Sequence, residues 1–244
     1  MTVLTPAYNA EKTIGETIQS VLNQTYTNWE MIIIDDASTD KTLEIIQRFH
    51  DERIKLIQNS KNSGPAMSWN RGFEVMRGRF LAFLDADDLW EPDKLNTQIA
   101  YMLSNNYEYT FTSYDWISEA GESLGKIVKA EETWTYKDQL KNPIIGNSTV
   151  IFDRRTIPIH MLPDIRLNQD GLLRGPIEKA GHVAHGIPEV YTHYRISENG
   201  YSRNKLIAAK RLWTIYRDIL HIPFFHRCYY FYWYAINSIK KYYL

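Results

Sequence analysis

Twice in the first half of this chain, an uninterrupted apolar run ends abruptly in a cluster of acids. Met31-Ile32-Ile33-Ile34 leads into Asp35-Asp36, and Phe80-Leu81-Ala82-Phe83-Leu84 leads into Asp85-Ala86-Asp87-Asp88. A short apolar run without polar alternation reads as a strand buried on both faces. Such a strand needs helices above and below it, and the sequence supplies them. Glu11–Asn23 carries Ile14, Ile18, Val21 and Leu22 at i, i+4, i+7 and i+8, one side of an amphipathic helix. Leu43, Ile45, Ile46 and Phe49 form the apolar side of a second helix, with Ser38, Thr39 or Asp40 placed to cap it. Gly64 and Pro65 open a third helix, through about Met76, and Pro92 stands near the first turn of a fourth reaching about Leu103. Thr2–Pro6 and Ile54–Ile57 read as further strands. Strands alternating with helices in this way predict βαβ units and a mostly parallel sheet sandwiched by helices, an α/β fold. Ligands of such sheets bind beyond the carboxyl ends of the strands, where strand order switches. Both acidic clusters sit at strand carboxyl ends, so both are expected in one crevice.

The second half is less regular. Tyr109–Tyr114, Leu124–Val128, Ser148–Phe152, Val183–His185 and Val190–Tyr194 read as strands, and Tyr136–Lys141 and Asp170–Ala180 as helices. From Ile207 onward the pattern is helical, with a break near Pro223. No Gly-, Pro- or Ser-rich linker divides the chain, so one domain with a C-terminal extension is expected.

Composition excludes several classes. At 44% hydrophobic and 23% charged, with no low-complexity tract or fixed repeat, the 244 residues suit a folded domain. Cys228 is the single cysteine, so no internal disulfide forms, which suits a reducing compartment. No basic leader precedes the strand-like Thr2-Val3-Leu4, and no run approaches the roughly 18–20 apolar residues that span a bilayer. A cytoplasmic protein is expected, or one attached to the membrane from the cytoplasmic side. The net charge of −1 conceals a basic tail: residues 201–244 hold eight Lys or Arg against Asp218 alone, +7, which leaves −8 for the rest. That tail is also dense in Phe, Tyr and Trp. Aromatic and basic residues together suit a membrane interface bearing anionic lipid. Helices packed on the domain or in an oligomer interface are the alternative. No nucleic-acid recognition motif accompanies the charge.

The acids carry the chemistry. Asp85, Asp87 and Asp88 repel one another unless something offsets their charge. A hard divalent cation does so through oxygen ligands, using one or two carboxylates plus phosphate oxygens. A solvated loop or an acidic helix start would look the same in isolation. Asp35-Asp36 is placed to accept hydrogen bonds from a base or ribose, or to cap the next helix. Asn62-Ser63-Gly64-Pro65 and Asn70-Arg71-Gly72 mark turns, and Gly64 permits close backbone approach. Asp170 opens a helix, where it is either a cap or a base that takes a proton from an attacking hydroxyl.

Taken together, these motifs resemble glycosyltransferase family 2, the inverting family with the GT-A fold. Pro6-Ala7-Tyr8-Asn9 followed by Glu11 resembles its P-x-Y-N opening, and Ser20–Thr25 its S-V-L-x-Q-T. Ile34–Asp40 resembles the D-D-x-S-x-D nucleotide segment, Asn62-x-Gly64 and Asn70-x-Gly72 the next turns, and Phe83–Asp88 the F-L-D-A-D-D metal motif. Asp170 with Arg174 resembles the later E-D-x-x-x-x-R segment, with three intervening residues and Gln169 in place of Glu, and Tyr194-Arg195 followed by Ser202 fits a Y-R…S segment. Ser68-Trp69-Asn70 replaces the usual A-R-N. Trp134–Phe152 is similar to transferases of bacterial surface polysaccharide assembly, including the teichuronic-acid type.

The resemblance implies a GT-A catalytic domain over residues 1–200. Its nucleotide-binding half would span about 1–100 and its acceptor-side half about 101–200, with 201–244 as a helical extension. It implies a nucleotide-sugar donor, a UDP-sugar with Mn²⁺ or Mg²⁺, and a glycan or lipid-linked oligosaccharide acceptor. Asp36, with Asp35, would hold uracil or ribose; Pro6, Ala7 and Tyr8 would line the base pocket. Glu11, Asn62, Gly64, Asn70, Ala86 and Arg195 would lie on the donor side, and Asp85 near ribose and metal. Asp87 would be the leading metal ligand, Asp88 its competitor, and Asp170 the catalytic base. Another nucleotide-sugar enzyme, a nucleotidyltransferase or hydrolase, would call for a basic phosphate-gripping loop, and residues 6–15 offer only Lys12. A non-catalytic binding protein of the same fold would be free to lose Asp36, Asp87 or Asp170, and all three are present.

Overall fold

The computed structural model describes residues 1–164, 169–196 and 205–243. Ser202, expected near the donor, lies outside them, as does Asn168 ahead of the Asp170 helix. In the first half, β1 (Thr2–Ala7), β2 (Glu30–Asp35), β3 (Ile54–Gln58) and β4 (Phe80–Phe83) alternate with four helices: α1 (Ile14–Leu22), α2 (Thr42–Gln47), α3 (Pro65–Val75) and α4 (Lys94–Asn105). The four strands run parallel in the order β3-β2-β1-β4. The unbroken apolar runs follow from burial on both faces. Val3, Met31 and Ile33 pack with α1 and α4, while Leu4, Ile32 and Ile34 pack with α3. At Gly72 the helix α3 lies so close to β1 that an added Cβ would meet Leu4 Cδ2 at 2.8 Å. β1 sits between β2 and β4, so connections leave it in both directions. The strand order therefore reverses beside its carboxyl end, which is the expected place for a crevice.

Beyond β4 the sheet becomes mixed. The remaining elements are β5 (Leu89–Trp90), β6 (Tyr109–Ile117), β7 (Ser123–Val128), β8 (Thr133–Trp134), α5 (Tyr136–Lys141), β9 (Ile151–Asp153), α6 (Gln169–Lys179) and β10 (Ala184–Arg195). The sheet continues β4-β9-β6-β10-β5, with β7 on β6 and β8 on β10. Three details differ from the sequence reading. Ser148–Phe152 begins as a 3-10 turn over Asn147–Thr149, and the strand starts only at Ile151. The two candidates at Val183–His185 and Val190–Tyr194 are one strand, whose register shifts between Ile187 and Thr192 absorb Pro188. The two-residue strands β5 and β8 have no sequence signature, being too short to show a period.

The tail forms α7 (Lys205–Thr214), a π turn at Ile215–Ile219, and α8 (Phe224–Tyr243). One side of α8 faces the domain. Asn237 donates to the Lys141 carbonyl at 3.2 Å, Tyr216 donates to the Leu140 carbonyl, and Phe231 stacks edge-on against Trp213. The other side carries exposed Phe225, Tyr229, Tyr232 and Ile239.

Candidate active site

The acids of the second cluster have different neighbours. Asp88 is buried, at 1% exposure, and its carboxylate is committed to the protein. Ser148 Oγ donates to Asp88 Oδ2 at 2.5 Å, and the Arg195 backbone N–H donates to Asp88 Oδ1 at 3.0 Å. The same Ser148 hydroxyl accepts from the Asp85 backbone N–H at 3.1 Å. The loop is also fixed from α1. Thr13 donates to the Ala86 carbonyl at 2.9 Å, and the Thr17 hydroxyl, with one proton, lies 3.0 Å from both the Ala86 and Asp88 carbonyls.

Asp85 and Asp87 are only half-buried, and among the described residues neither forms an ion pair. Burial, then the charges of Asp170 and Asp87, push the Asp85 carboxyl up to about 8. That electrostatic coupling shows that α6 brings Asp170 back beside the acidic loop. Asn147 Nδ2 lies 3.5 Å from Asp85 Oδ1. Arg174, one turn along α6 from Asp170, is buried, and its Nε and NH1 have no hydrogen-bond partner among the described residues. Its charge partly offsets that of Asp85. Burial pushes the neighbouring Glu178 up to about 7, and Tyr109 donates to it at 3.2 Å. The later motif already paired Arg174 with Asp170, whereas local sequence gave no signal for Ser148 and Asn147, which reach the loop only through the fold.

Several residues expected to face a donor turn out to be engaged with the protein. Asp36 accepts from Asn59 Nδ2 at 2.6 Å, from the Ser63 N–H at 2.9 Å and from the Gly64 N–H at 2.7 Å. It therefore organises the loop that leads into α3, where Gly64 has a φ of 86°. Asn62 lies in that loop. Asp35 is buried and accepts from the Ser38 N–H at 3.3 Å. Asn70 is clamped on Leu162, donating to its carbonyl and accepting from its N–H, each at 2.8 Å. The Glu11 carboxylate accepts from the Lys41 N–H at 3.0 Å, ahead of α2. Arg195 ties the acidic loop to its surroundings: Nε donates to the Asp87 carbonyl at 2.8 Å, NH1 to the Glu119 carbonyl at 2.7 Å, and NH2 pairs with Glu16 at 2.6 Å. A guanidinium saturated in this way is a brace. At the end of β1, Pro6 is half-buried, Ala7 is buried, and Tyr8 stands 49% exposed at the edge of the crevice.

Among the described residues no three His, Cys, Asp or Glu side chains form a ready metal cage. The donor set fits a different kind of ion. Two carboxylates that form no ion pair among the described residues, Asp85 and Asp87, suit a hard divalent cation that completes its shell with phosphate oxygens and water.

The family model for glycosyl transferase family 2 matches residues 2–156. The chain belongs to this family. The transferase is 41% identical over 243 residues to TuaG of Bacillus subtilis (strain 168), named for teichuronic acid biosynthesis, covering 99% of this chain and 96% of that one. It is 38% identical over 242 residues to Escherichia coli WfgD, a UDP-Glc:alpha-D-GlcNAc-diphosphoundecaprenol beta-1,3-glucosyltransferase, covering 99% and 94%. Staphylococcus aureus TarS 1-349 in complex with UDP superposes with a TM-score of 0.70 at 19% identity, over 98% of this chain and 71% of that one. This likeness shows the GT-A fold.

The differing settings of the acids generate a prediction. Asp88→Ala strands the Ser148 hydroxyl and the Arg195 N–H, so it is expected to lower stability by about 1–3 kcal/mol. Asp87→Ala is expected to stay within about 0.5 kcal/mol, as a substitution away from such networks does. Urea unfolding of the two variants measures the difference; equal losses would contradict the assignment.

Proposed function

We propose that this transferase moves a sugar, with inversion, from a UDP-sugar to a hydroxyl of a glycan or lipid-linked oligosaccharide acceptor in bacterial surface polysaccharide assembly. The observation that carries the reading is the return of Asp170 to the acidic loop, recorded in its effect on Asp85. The named activities of TuaG and WfgD, and the UDP bound by TarS, support the donor and acceptor classes. Another solved neighbour, a Pyrobaculum calidifontis mannosyltransferase, holds GDP-Man and Mn²⁺.

Each residue then has a task. The exposed Tyr8 ring and the backbone after β1 line the base pocket, and the loop held by Asp36 closes its side. Asp87 and Asp85 would hold Mn²⁺ or Mg²⁺ together with the donor diphosphate. Such an ion, when bound, offsets the charge that grows on the departing diphosphate. Asp170 takes the acceptor proton as its oxygen attacks the anomeric carbon and the bond to diphosphate breaks. One carboxylate suffices for this single displacement, as it does in inverting glycosidases. Asp88 stays on Ser148 and Arg195 and keeps the loop in shape.

No described helix is long and apolar enough to cross a membrane. We assign the outer face of α8 to a membrane interface instead. Phe225, Tyr229, Tyr232 and Ile239 recur at near-helical spacing, 84%, 50%, 61% and 57% exposed, on a tail that carries +7. Rings at headgroup depth and cations over anionic lipid would hold the enzyme beside a lipid-linked acceptor.

Two experiments test these readings. Asp170→Asn is expected to lower turnover by about 10²–10⁴-fold while UDP-sugar still binds, and Asp87→Ala to abolish Mn²⁺-dependent transfer; normal turnover by Asp170→Asn rejects the base. In vesicle sedimentation at low salt, the full chain should pellet with anionic vesicles, and Phe225→Asp with Tyr232→Asp should release it. A wild-type chain that stays in the supernatant rejects the membrane assignment.

A further inference from the structure

The acidic crevice has a neighbour. A groove of about 520 Å³ runs along β7, with Trp116, Lys126, Lys129, Trp134, Asn142 and Asn237 among its walls. That volume lies within the range of small-ligand sites. Its position connects it to the chemistry. Trp116 is directly opposed to Tyr194 across the β6–β10 pair, so the two side chains share one face of the sheet. The Tyr194 ring packs on Tyr114 at 5.7 Å, and Tyr194 senses the charges of Asp88, Asp85 and Asp87. The groove therefore opens on the sheet face that carries the acidic loop, next to it on the side of the second half.

Its lining has the chemistry of a saccharide site. An indole presents a flat apolar face that suits the C–H face of a pyranose, and polar groups around it suit the hydroxyls. The Lys126 ammonium lies 5.3 Å from the Trp116 ring centre. Trp134, 91% buried, adds a second indole to the wall. Asn142 and Asn237 add amides. Lys126 and Lys129 stand against one lining acid, Glu131, so the groove favours an acceptor that carries negative charge.

We propose that this groove is the acceptor's subsite: it holds the sugar ring and attached diphosphate of the acceptor while the reacting hydroxyl reaches Asp170. The inference rests on the transferase reading above and names where that reaction's second substrate lies. Nothing in the donor chemistry requires the groove, which is separated from the acidic loop by the Tyr114–Tyr194 pair.

The test is a calorimetric titration of the full chain with a water-soluble α-D-GlcNAc-diphosphoalkyl compound, in the presence of UDP and Mn²⁺. Two rim variants are compared with wild type. Lys126→Glu reverses the charge that lies over the Trp116 ring, on the groove's own face of the sheet. Lys129→Glu reverses a rim charge. Each is expected to weaken the compound by about tenfold or more, with UDP affinity and thermal unfolding unchanged. Wild-type affinity in both variants overturns the proposal, as does a wild-type chain that does not bind the compound at millimolar concentration. Failure of the transferase reading looks different: the chain binds the compound in this groove but transfers sugar from no UDP-sugar.

Discussion

The site depends on one buried carboxylate. Asp88 accepts from Ser148 and from the Arg195 backbone, and so joins the turn after β4, the 3-10 turn before β9 and the end of β10. These segments are distant in sequence, and this one group bonds to two of them at once. Burial, then the charges of Asp87 and Asp85, push the Asp88 carboxyl well up. A group in that position is a poor free ligand and a good structural anchor, because its hydrogen bonds offset the cost of enclosing it. Removing it would leave both donors buried and unpaired.

The rest of the arrangement follows from that anchor. With Asp88 turned inward, Asp85 and Asp87 form no ion pair among the described residues, and α6 adds Asp170 to the same negative field. The buried Arg174 and Arg195 offset this charge only in part, the first acting on Asp85 and the second on Asp87. Protein groups thus leave an excess of negative charge where a divalent cation and a diphosphate would meet. Arg195 and Thr17 hold the backbone of the loop from two further directions, so the acids are positioned before any donor arrives. Positioning in advance is where this kind of chemistry gains its rate.

Much of the fold could be read from the chain because burial on both faces leaves a direct mark. Met31–Ile34 and Phe80–Leu84 have no polar alternation since both of their faces lie in core, and the helices between them show their period plainly. The family was legible in the ordered motifs from Pro6 to Asp88. The site was legible at the level of segments and less so at the level of atoms. Asp85, Asp87 and Asp88 are chemically alike, and what separates them is a serine 60 residues away and a backbone N–H 107 residues away. Asn70 and Arg195 read as donor contacts because their motifs do; in the structure their polar atoms are taken up by Leu162, Glu16 and loop carbonyls. Neither partner is marked in local sequence. The strands β5 and β8 were missed because a two-residue strand has no period to detect, and β10 was split because Pro188 interrupts a pattern that the strand itself absorbs as a register shift.

The central claim is a division of labour among three adjacent acids, and it can be observed directly. Crystals of the wild-type chain with UDP and Mn²⁺, measured at the manganese absorption edge, would locate the ion by its anomalous signal. The account predicts Mn²⁺ bound by Asp87, with Asp85 on the same side, and with Asp88 still accepting from Ser148 and the Arg195 N–H. An ion ligated by Asp88, with those two hydrogen bonds broken, would contradict it.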